Sequence, residues 1–550
     1  MAFSSQNAEN LILSLGGKGR FQLTILFLAA FTYVPLVLNH VIMAFHGSPI
    51  PHKCMVGSGS VIDTNLTSLA GPRYLTSGTE AYVTNLTHSE CSTTVGYSDG
   101  QQKIIKCKSD QWKYTPKHVH RNIVSQFDLV CSKKYLVSLA TTIYFTGVML
   151  GGLVFGDLAD RFGRLPVMLF TLYASIVVGL ATAFSVSYAM FVCLRFVHGV
   201  LIQGLQTSAY TLLMELFGPK DRPFAGIVAE LFFGVAFMVL GGLAYLLRDW
   251  QHLQIAASLV AVVTVFYPWV VPESLRWLIM KGKTEEAEKQ IQRICKTNKI
   301  PFPAECWGLL KDSMAGQAKT VRQHNLTHLF RSRPMTKISL ICFYLWFTMS
   351  VSYYGLTFKM TSFKGNPYLN FFISGLVESF TYLACIPLMN KFGRRKPLMY
   401  SFACGGVMCL SSGLINSFTS GLDHLVTGFA LTGKCSMACC FATFFVYASE
   451  LYPTAVRNIG LGAGMFFARF GSVMAPQINQ WADLLLGIDG ILIFGVLAVA
   501  ASVLVYPLPE THQKHLADSL GEAGEPAGGA EVARLNTEEE HEMENRAVEA

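Results

Sequence analysis

The stretch Gly156-Asp157-Leu158-Ala159-Asp160-Arg161-Phe162-Gly163-Arg164 decides the fold. It lies between two apolar runs, at about residues 136–155 and 166–184. Each run is close to the ~20 residues that an α-helix needs to cross a bilayer. Because a chain inside hydrocarbon must satisfy its own backbone groups, the four charges are expected in a short turn at the membrane surface. A weaker copy, Asn390-Lys391-Phe392-Gly393-Arg394-Arg395-Lys396, again separates two apolar runs.

The composition is that of a membrane protein. Hydrophobic residues make up 51% of the chain, charged residues only 14%, and the mean hydropathy is +0.39, whereas soluble domains carry about 25% charged residues. About twelve apolar runs reach spanning length. They lie near 22–45, 136–155, 166–184, 190–217, 224–246, 253–271, 336–358, 368–390, 397–416, 424–450, 458–480 and 488–508. The sequence therefore predicts an all-α membrane protein with twelve transmembrane helices, and no cleaved signal peptide because the first run is long enough to span.

The formal net charge of +8 combines two opposite regions. The segment 518–550 holds ten acidic residues and two arginines, so the rest of the chain carries about +16. Few large apolar residues occur in this tail, and residues 509–550 are predicted to be cytoplasmic and disordered. The excess Lys and Arg cluster in connections that the positive-inside rule assigns to the cytoplasm, so nucleic-acid binding is a poor explanation.

The long connection at 46–135 has the features of an extracellular loop. It contains Cys54, Cys91, Cys107 and Cys131 and the glycosylation sequons at Asn65 and Asn85. Cysteines and sequons in one loop indicate an oxidising compartment and two disulfides. Four cysteines allow three connectivities, so the pairing stays open. Free cysteines and chance sequons are the alternative.

The second long connection, at 272–335, has the opposite chemistry and is predicted to be cytoplasmic because of its Lys and Arg excess. The predicted organisation follows from the two connections. It comprises a cytoplasmic N-terminus (1–21), an N-terminal six-helix bundle (22–271), the cytoplasmic loop (272–335), a C-terminal six-helix bundle (336–508) and the tail (509–550).

The two halves repeat one another at three places in the same order. The segment 160–164 corresponds to 390–394, the segment Met214–Arg222 to Ser449–Arg457, and Pro272-Glu273-Ser274 to Pro509-Glu510-Thr511. In the second pair, each Glu precedes its Arg by seven residues. Two parallel six-helix repeats are the architecture of major facilitator transporters, whose substrate site lies near the membrane midplane between the halves.

With these motifs, Pro272–Leu278, Ser449–Thr454 and the cysteine-bearing first loop, the chain resembles the organic cation, anion and carnitine transporter family of the major facilitator superfamily. The resemblance covers about residues 10–515, and the segments 369–375 and 249–254 look closest to the invertebrate organic cation transporter-like members. It implies a cytoplasmic latch that clamps the halves in the outward-facing state. The implied latch residues are Gly156, Asp157, Asp160, Arg161, Gly163, Arg164, Glu215, Arg222, Arg394, Glu450 and Arg457.

Charged side chains inside apolar runs are costly, so each is a candidate for substrate binding. Glu230 is either a partner for a cation or a carboxyl paired within the bundle. Glu378 is expected to face the cavity, with structural pairing as the alternative. Lys434 is either an anion-facing group or an internal partner for a carboxylate. Arg469 suits a carboxylate because its planar fork matches two oxygens; by resemblance, anion and carnitine transporters carry Arg at this place and the vertebrate cation branch carries Asp.

Aromatic and amide residues complete the candidate site, since aromatic faces bind organic cations by cation–π attraction. By resemblance, the lining comprises Trp346, Tyr353, Tyr354, Tyr382, Phe441, Phe445 and Tyr447, with Asn39 as a hydrogen-bonding candidate. Ordinary helix packing is the alternative for any single Phe.

No catalytic triad, metal-ligand spacing or phosphate-binding loop occurs in the sequence, which predicts no enzyme activity, no cofactor and no metal. The leading hypothesis is a multi-pass plasma-membrane transporter with both termini in the cytoplasm. It would move small organic cations or zwitterions such as carnitine-like compounds by alternating access. Organic anion exchange is the first alternative, and a transporter-like receptor or scaffold is the second. A co- or counter-transported ion and the oligomeric state stay open.

Overall fold

The computed structural model describes residues 11–54, 73–74, 80–81, 83–97, 102–107, 111–116, 120–218, 221–315, 326–363, 365–419, 421–453 and 456–511. Twelve membrane-crossing segments, here called spans 1 to 12, dominate this part of the chain. Span 1 comprises helices Arg20–Phe31, Tyr33–Val41 and Met43–His46, and spans 2 to 5 are Tyr135–Phe162, Arg164–Ala183, Tyr188–Leu216 and Arg222–Leu246. Span 6 comprises Trp250–Leu259, the 3-10 segment Val260–Phe266 and Tyr267–Val270. Spans 7 to 12 are Arg333–Lys359, Pro367–Phe392, Arg395–Phe418, Asp423–Leu451, Arg457–Trp481 with Ala482–Leu486, and Gly490–Val505.

Each predicted apolar run coincides with one span. Eleven of the described segments are long and apolar enough to cross a membrane, and span 12 is a shorter apolar helix of 16 residues. At 1.5 Å per residue, such a helix is about 24 Å long, a little less than a typical hydrocarbon core. The prediction of a twelve-helix fold is confirmed.

The residues at the span boundaries explain why the helices start and stop there. Gly163, between spans 2 and 3, has a φ of 111°, and Gly393, between spans 8 and 9, has a φ of 82°. Side chains with a Cβ rarely adopt these angles, so the glycines permit the tight turns. The side chains of Ser332 and Asn366 accept hydrogen bonds from backbone N–H groups at the starts of spans 7 and 8, which supplies partners that the helix lacks.

Spans 1–6 and spans 7–12 form two bundles that meet along two helix pairs. Span 2 packs against span 11, and span 5 packs against span 8. We call the end of the bundle where residues 47–134 emerge the loop end, and the end that carries Gly156–Arg164 the motif end.

Seven short strands occur in the described part of the loop between spans 1 and 2. They are β1 (His52–Cys54), β2 (Arg73–Tyr74), β3 (Glu80–Ala81), β4 (Val83–His88), β5 (Ser92–Tyr97), β6 (Gln102–Lys106) and β7 (Trp112–Tyr114). All strand pairs are antiparallel, in the orders β1-β7, β2-β3 and β4-β5-β6. Disulfides join Cys54 to Cys107 and Cys91 to Cys131, which selects one of the three possible connectivities.

The connection between spans 6 and 7 is helical over much of its described length. It contains Leu275–Met280, Thr284–Asn298 and Ala304–Ala315, followed by the 3-10 turn Leu326–Phe330. Asn298 ties this connection to the start of the chain, because its amide donates to the Leu15 carbonyl and the Gln22 side chain while its oxygen accepts from Phe21 N–H.

Candidate substrate site and latch

A buried ion pair lies at mid-depth in the C-terminal half. Glu378 of span 8 contacts Lys434 of span 10 at 2.9 Å, and their side chains are 1% and 0% exposed. The hydroxyls of Tyr353 and Tyr382 both donate to Glu378 Oε1, at 2.5 and 2.8 Å. Lys434 also donates to Ser374 Oγ at 2.7 Å. Glu378 and Lys434 are therefore paired with each other inside the C-terminal half.

Glu230 of span 5 faces this pair from the other half of the molecule. It lies close to Glu378 and Tyr382 and also to Tyr33 and Tyr210. Its side chain retains some accessible surface although it lies deep in the bundle, so it borders an internal space. Within the described chain, Glu230 forms no ion pair.

Arg469 of span 11 is the second charge at the boundary between the halves. Its Nη2 donates to the side-chain oxygen of Gln206 in span 4, at 2.7 Å. Tyr354 and His40 lie nearby. Among the described residues Arg469 has no acidic partner, so its positive charge is not neutralised.

Glu230 and Arg469 belong to opposite halves of the molecule. Both lie near Tyr33 of span 1 and Tyr354 of span 7. An acid and a guanidinium with a gap between them can hold a molecule that carries an ammonium and a carboxylate at separate ends.

Five of the predicted aromatic residues are in contact with one another. Tyr353 contacts Tyr354 and Phe441 with ring centroids 5.3 and 5.6 Å apart. Trp346 lies 6.4 Å from Phe441 and 6.0 Å from Phe445. These five rings of the predicted lining form one continuous wall, and a cation held against such a face gains about 0.5–2 kcal/mol.

A thick layer of contacts closes the space toward the loop end. Phe45 packs against Phe371 at 5.0 Å, and Phe145 packs against Tyr354 at 4.8 Å. Thr142 donates to the Val473 carbonyl at 3.1 Å and accepts from Gln477, also at 3.1 Å. Every one of these contacts joins the two halves.

In the described part of the chain, one aromatic pair joins the halves on the side of the site nearer the motif end. Tyr210 of span 4 and Phe445 of span 10 lie beyond the middle of their helices, toward the motif end. Their ring centroids are 5.4 Å apart in an edge-to-face arrangement. Phe445 therefore contacts both Trp346 in its own half and Tyr210 in the other half.

Two residues predicted for the lining have other partners. Asn39 donates to the Pro35 carbonyl and accepts from Gln254, and its own carbonyl accepts from Arg195. It thus belongs to a buried hydrogen-bond network inside the N-terminal half. Tyr447 donates to the Pro509 carbonyl near the motif end and does not join the aromatic wall.

Three carboxylates of the N-terminal half converge on Arg164, which is 4% exposed. Its guanidinium makes a bidentate contact with Glu215 at 3.0 and 3.1 Å and pairs with Asp160 at 2.8 Å. The Glu273 carboxylate accepts from the backbone N–H groups of Arg164 and Leu165 at the start of span 3. Burial raises the pKa of Glu273, and the hydrogen bonds from these N–H groups oppose the shift.

The C-terminal half repeats this arrangement. Arg394 contacts Glu450 at 3.2 Å, and Glu510 accepts from the N–H groups of Arg394 and Arg395 at 2.9 and 3.2 Å. A Cβ on Gly163 would collide with Glu273, and one on Gly393 would collide with Glu510. The sequence repeat is therefore a repeat of the same carboxylate–arginine–glycine geometry.

The remaining latch residues have separate environments. Arg222 and Arg457 bind the carbonyls of Met214 and Tyr452, each at the end of the preceding span. Asp157 and Arg161 are exposed on span 2, and Gly156 has open space around it. The Arg164 and Arg394 contacts just described each join residues of one half, so a clamp between halves stays a prediction for another conformation.

Several predictions fall outside the described residues. They include Asn65 and the tail from residue 512. The backbone of Asn85, in contrast, is described: it lies on strand β4 and pairs with Gly96. Glycosylation therefore stays a prediction.

Sequence reasoning did not select Gln206, Tyr210, Phe145, Tyr33 and His40. Each lies in an apolar or mixed run of the N-terminal half with no charge to distinguish it. Gln206 and His40 carried a usable signal, since a polar side chain inside a spanning run needs a partner.

The fold and the site define a twelve-helix membrane transporter and not an enzyme. Residues 78–519 match the family described as "Sugar (and other) transporter". The chain is 29% identical to the organic cation transporter-like protein of Drosophila melanogaster, with 98% of this chain and 96% of that protein covered. It is 30% identical to solute carrier family 22 member 16 of Xenopus laevis, with 94% of each covered. It is 34% identical to human solute carrier family 22 member 13, with 74% of this chain and 72% of that protein covered.

A solved structure supports the same architecture. The xylose transporter XylE from E. coli, in an inward open conformation, is similar with a TM-score of 0.61 and 13% identity, covering 90% of this chain and 98% of XylE. The chain belongs to the sugar (and other) transporter family of the major facilitator superfamily, within its organic cation, anion and carnitine transporter group. It is a membrane transporter of organic ions.

Proposed function

We propose that this protein moves organic cations or zwitterions, such as carnitine-like compounds, across the plasma membrane by alternating access. One observation carries the proposal: among the described residues, Glu230 and Arg469 lie on opposite halves, neither forms an ion pair, and both lie near Tyr33 and Tyr354. Glu230 would meet the ammonium, Arg469 the carboxylate, and the tyrosine and phenylalanine rings the body of the substrate.

Because Glu378 and Lys434 pair with each other, we expect Glu230 and Arg469 to determine which substrate charges the site prefers. Since these two groups neutralise each other, the site is left with one negative and one positive side chain. Substrates with one charge of each sign are then favoured over dianions.

The contacts between the two halves are more numerous toward the loop end than toward the motif end, which supports alternating access. Several contacts join the halves toward the loop end, whereas the Tyr210–Phe445 pair lies toward the motif end. Displacing that pair would open the site to the motif end. We place this end and both termini in the cytoplasm, because the disulfide-bonded loop belongs in an oxidising compartment.

Organic anion exchange is the alternative function, because the positive charge of Arg469 could bind an anion. Lys434 is not available as a second anion-binding group, because Glu378 neutralises its charge. An exchanger would thus depend on Arg469 alone.

The test is radiolabelled uptake of a cation, a zwitterion and a carboxylate by cells expressing the wild type, Glu230→Gln or Arg469→Ala. We expect zwitterion uptake to fall in both variants and cation uptake to fall only in Glu230→Gln. Glu286→Gln, in an exposed pair with Lys283, is the matched control. Carboxylate uptake that ignores Glu230 would indicate the exchanger. Absence of all uptake despite surface expression would indicate a receptor or scaffold.

A further inference from the structure

One hydrogen bond at mid-depth joins the two halves through a charged group. Arg469 Nη2 of span 11 donates to Gln206 Oε1 of span 4 at 2.7 Å. Hydrogen bonds with an ionised donor are about twice as strong as neutral ones. This contact therefore both orients the guanidinium and adds attraction between the halves.

The Gln206 amide oxygen occupies the place of a carboxylate oxygen. Both are planar, trigonal acceptors, but the amide carries no charge and leaves the guanidinium un-neutralised. A carboxylate brought by a ligand is the stronger acceptor because it adds a full negative charge at the same distance.

We propose that Gln206 is a specificity-determining residue that holds Arg469 in the empty site and yields that position to the substrate carboxylate. The proposal rests on the proposed function. It assigns the carboxylate subsite to the boundary between spans 4 and 11, and the ammonium subsite to span 5.

The exchange links substrate charge to movement of the halves. A ligand shifts a conformational equilibrium only when it interacts differently with the two states. A carboxylate that replaces Gln206 removes one bond between the halves at mid-depth. A cation without a carboxylate leaves that bond in place, so zwitterions gain an advantage in turnover as well as in binding.

The test uses Gln206→Glu and Gln206→Ala in cells that take up a zwitterion and its methyl ester, which keeps the ammonium and lacks the carboxylate. Gln206→Glu supplies a permanent carboxylate to Arg469. We expect it to raise the KM of the zwitterion by about tenfold or more and to spare the ester. Gln206→Ala removes the competitor and is expected to lower the KM of the zwitterion severalfold.

Gln477→Glu is the matched control. Gln477 also donates across the halves, to Thr142 at 3.1 Å, but lies eight residues from Arg469, about 12 Å along the same helix. It is expected to leave the ratio of the two KM values unchanged. A zwitterion KM that Gln206→Glu does not change, or an equal change for both compounds, overturns the proposal, as does the same ratio shift in Gln477→Glu.

A second readout separates this proposal from the proposed function. In purified protein without substrate, the melting temperatures of Gln206→Ala, Arg469→Ala and the double variant form a cycle. We expect non-additive shifts, and additive shifts would overturn the contact itself. Wild-type protein that transports neither compound would overturn the proposed function, while the cycle still decides whether Gln206 holds Arg469.

Discussion

Both oxygens of the Glu378 carboxylate are occupied by donors from its own half of the molecule. Tyr353 and Tyr382 bind one oxygen, and Lys434 binds the other. A buried charge that loses its partner costs far more than an exposed one, because water cannot replace the lost contact. The pair is therefore a structural element of the C-terminal half.

Glu378→Gln leaves Lys434 buried without a counter-charge, and we expect it to lower the free energy of unfolding by about 3–5 kcal/mol. Lys434→Gln added to it should restore part of the loss. The measurement is thermal unfolding in detergent together with surface expression. Glu286→Gln, in an exposed pair, should change little. A stable Glu378→Gln with altered cation KM would show that Glu378 binds substrate directly.

At the scale of the element, the turns between spans 2 and 3 and between spans 8 and 9 have the same construction. Each turn contains a glycine with a positive φ. This glycine leaves room for a glutamate that follows the last helix of the same half, and the glutamate accepts hydrogen bonds from the N–H groups at the start of the helix after the turn. Negative groups are favoured there because helix N-termini carry partial positive charge. The carboxylates Glu273 and Glu510 thereby fix the ends of spans 3 and 9.

Gly163→Ala tests this construction, since it forces a Cβ into left-handed backbone and against Glu273. We expect a destabilisation of about 1–3 kcal/mol and reduced uptake of all charge classes. Gly156→Ala is the control on the same motif: it lies inside span 2 with nothing within 4 Å of an added Cβ, so it should be neutral or stabilise by about 0.5–1 kcal/mol. Equal effects of the two variants on melting temperature would refute the account of this turn.

These turns also show how far the sequence predicts the structure. Apolar run length predicted every span, and the repeated motif predicted the two-bundle fold. Contacts between distant segments carry no periodic signal, so the Cys54–Cys107 and Cys91–Cys131 pairings were open. Whether Glu378 is paired or free depends on where Lys434 lies in three dimensions. The contact between Gln206 and Arg469 likewise cannot be read from the sequence.

At the scale of the whole molecule, the thick layer toward the loop end must separate during transport if access alternates. Thr142 of span 2 and Gln477 of span 11 are in contact across this layer. A covalent link between these positions would hold the halves together at this end.

Thr142→Cys with Gln477→Cys, oxidised with copper phenanthroline, should abolish uptake, and a reductant should restore it. Ser350→Cys with Ser472→Cys is the control, because those hydroxyls touch at 2.8 Å within the C-terminal half and the two positions need not separate. The readouts are uptake and the cross-linked fragment on a gel. Full uptake by the cross-linked Thr142/Gln477 variant would contradict a rocking of the two halves.

In the proposed mechanism, Arg469 binds the substrate carboxylate and Glu230 binds the ammonium. The most direct measurement is the ratio of the KM values for a zwitterion and its methyl ester in the wild type, Arg469→Ala and Glu230→Gln. We predict that the wild type prefers the zwitterion, that Arg469→Ala brings the ratio to about one, and that Glu230→Gln weakens both compounds equally. A wild-type preference for the zwitterion that survives unchanged in Arg469→Ala would contradict the claim.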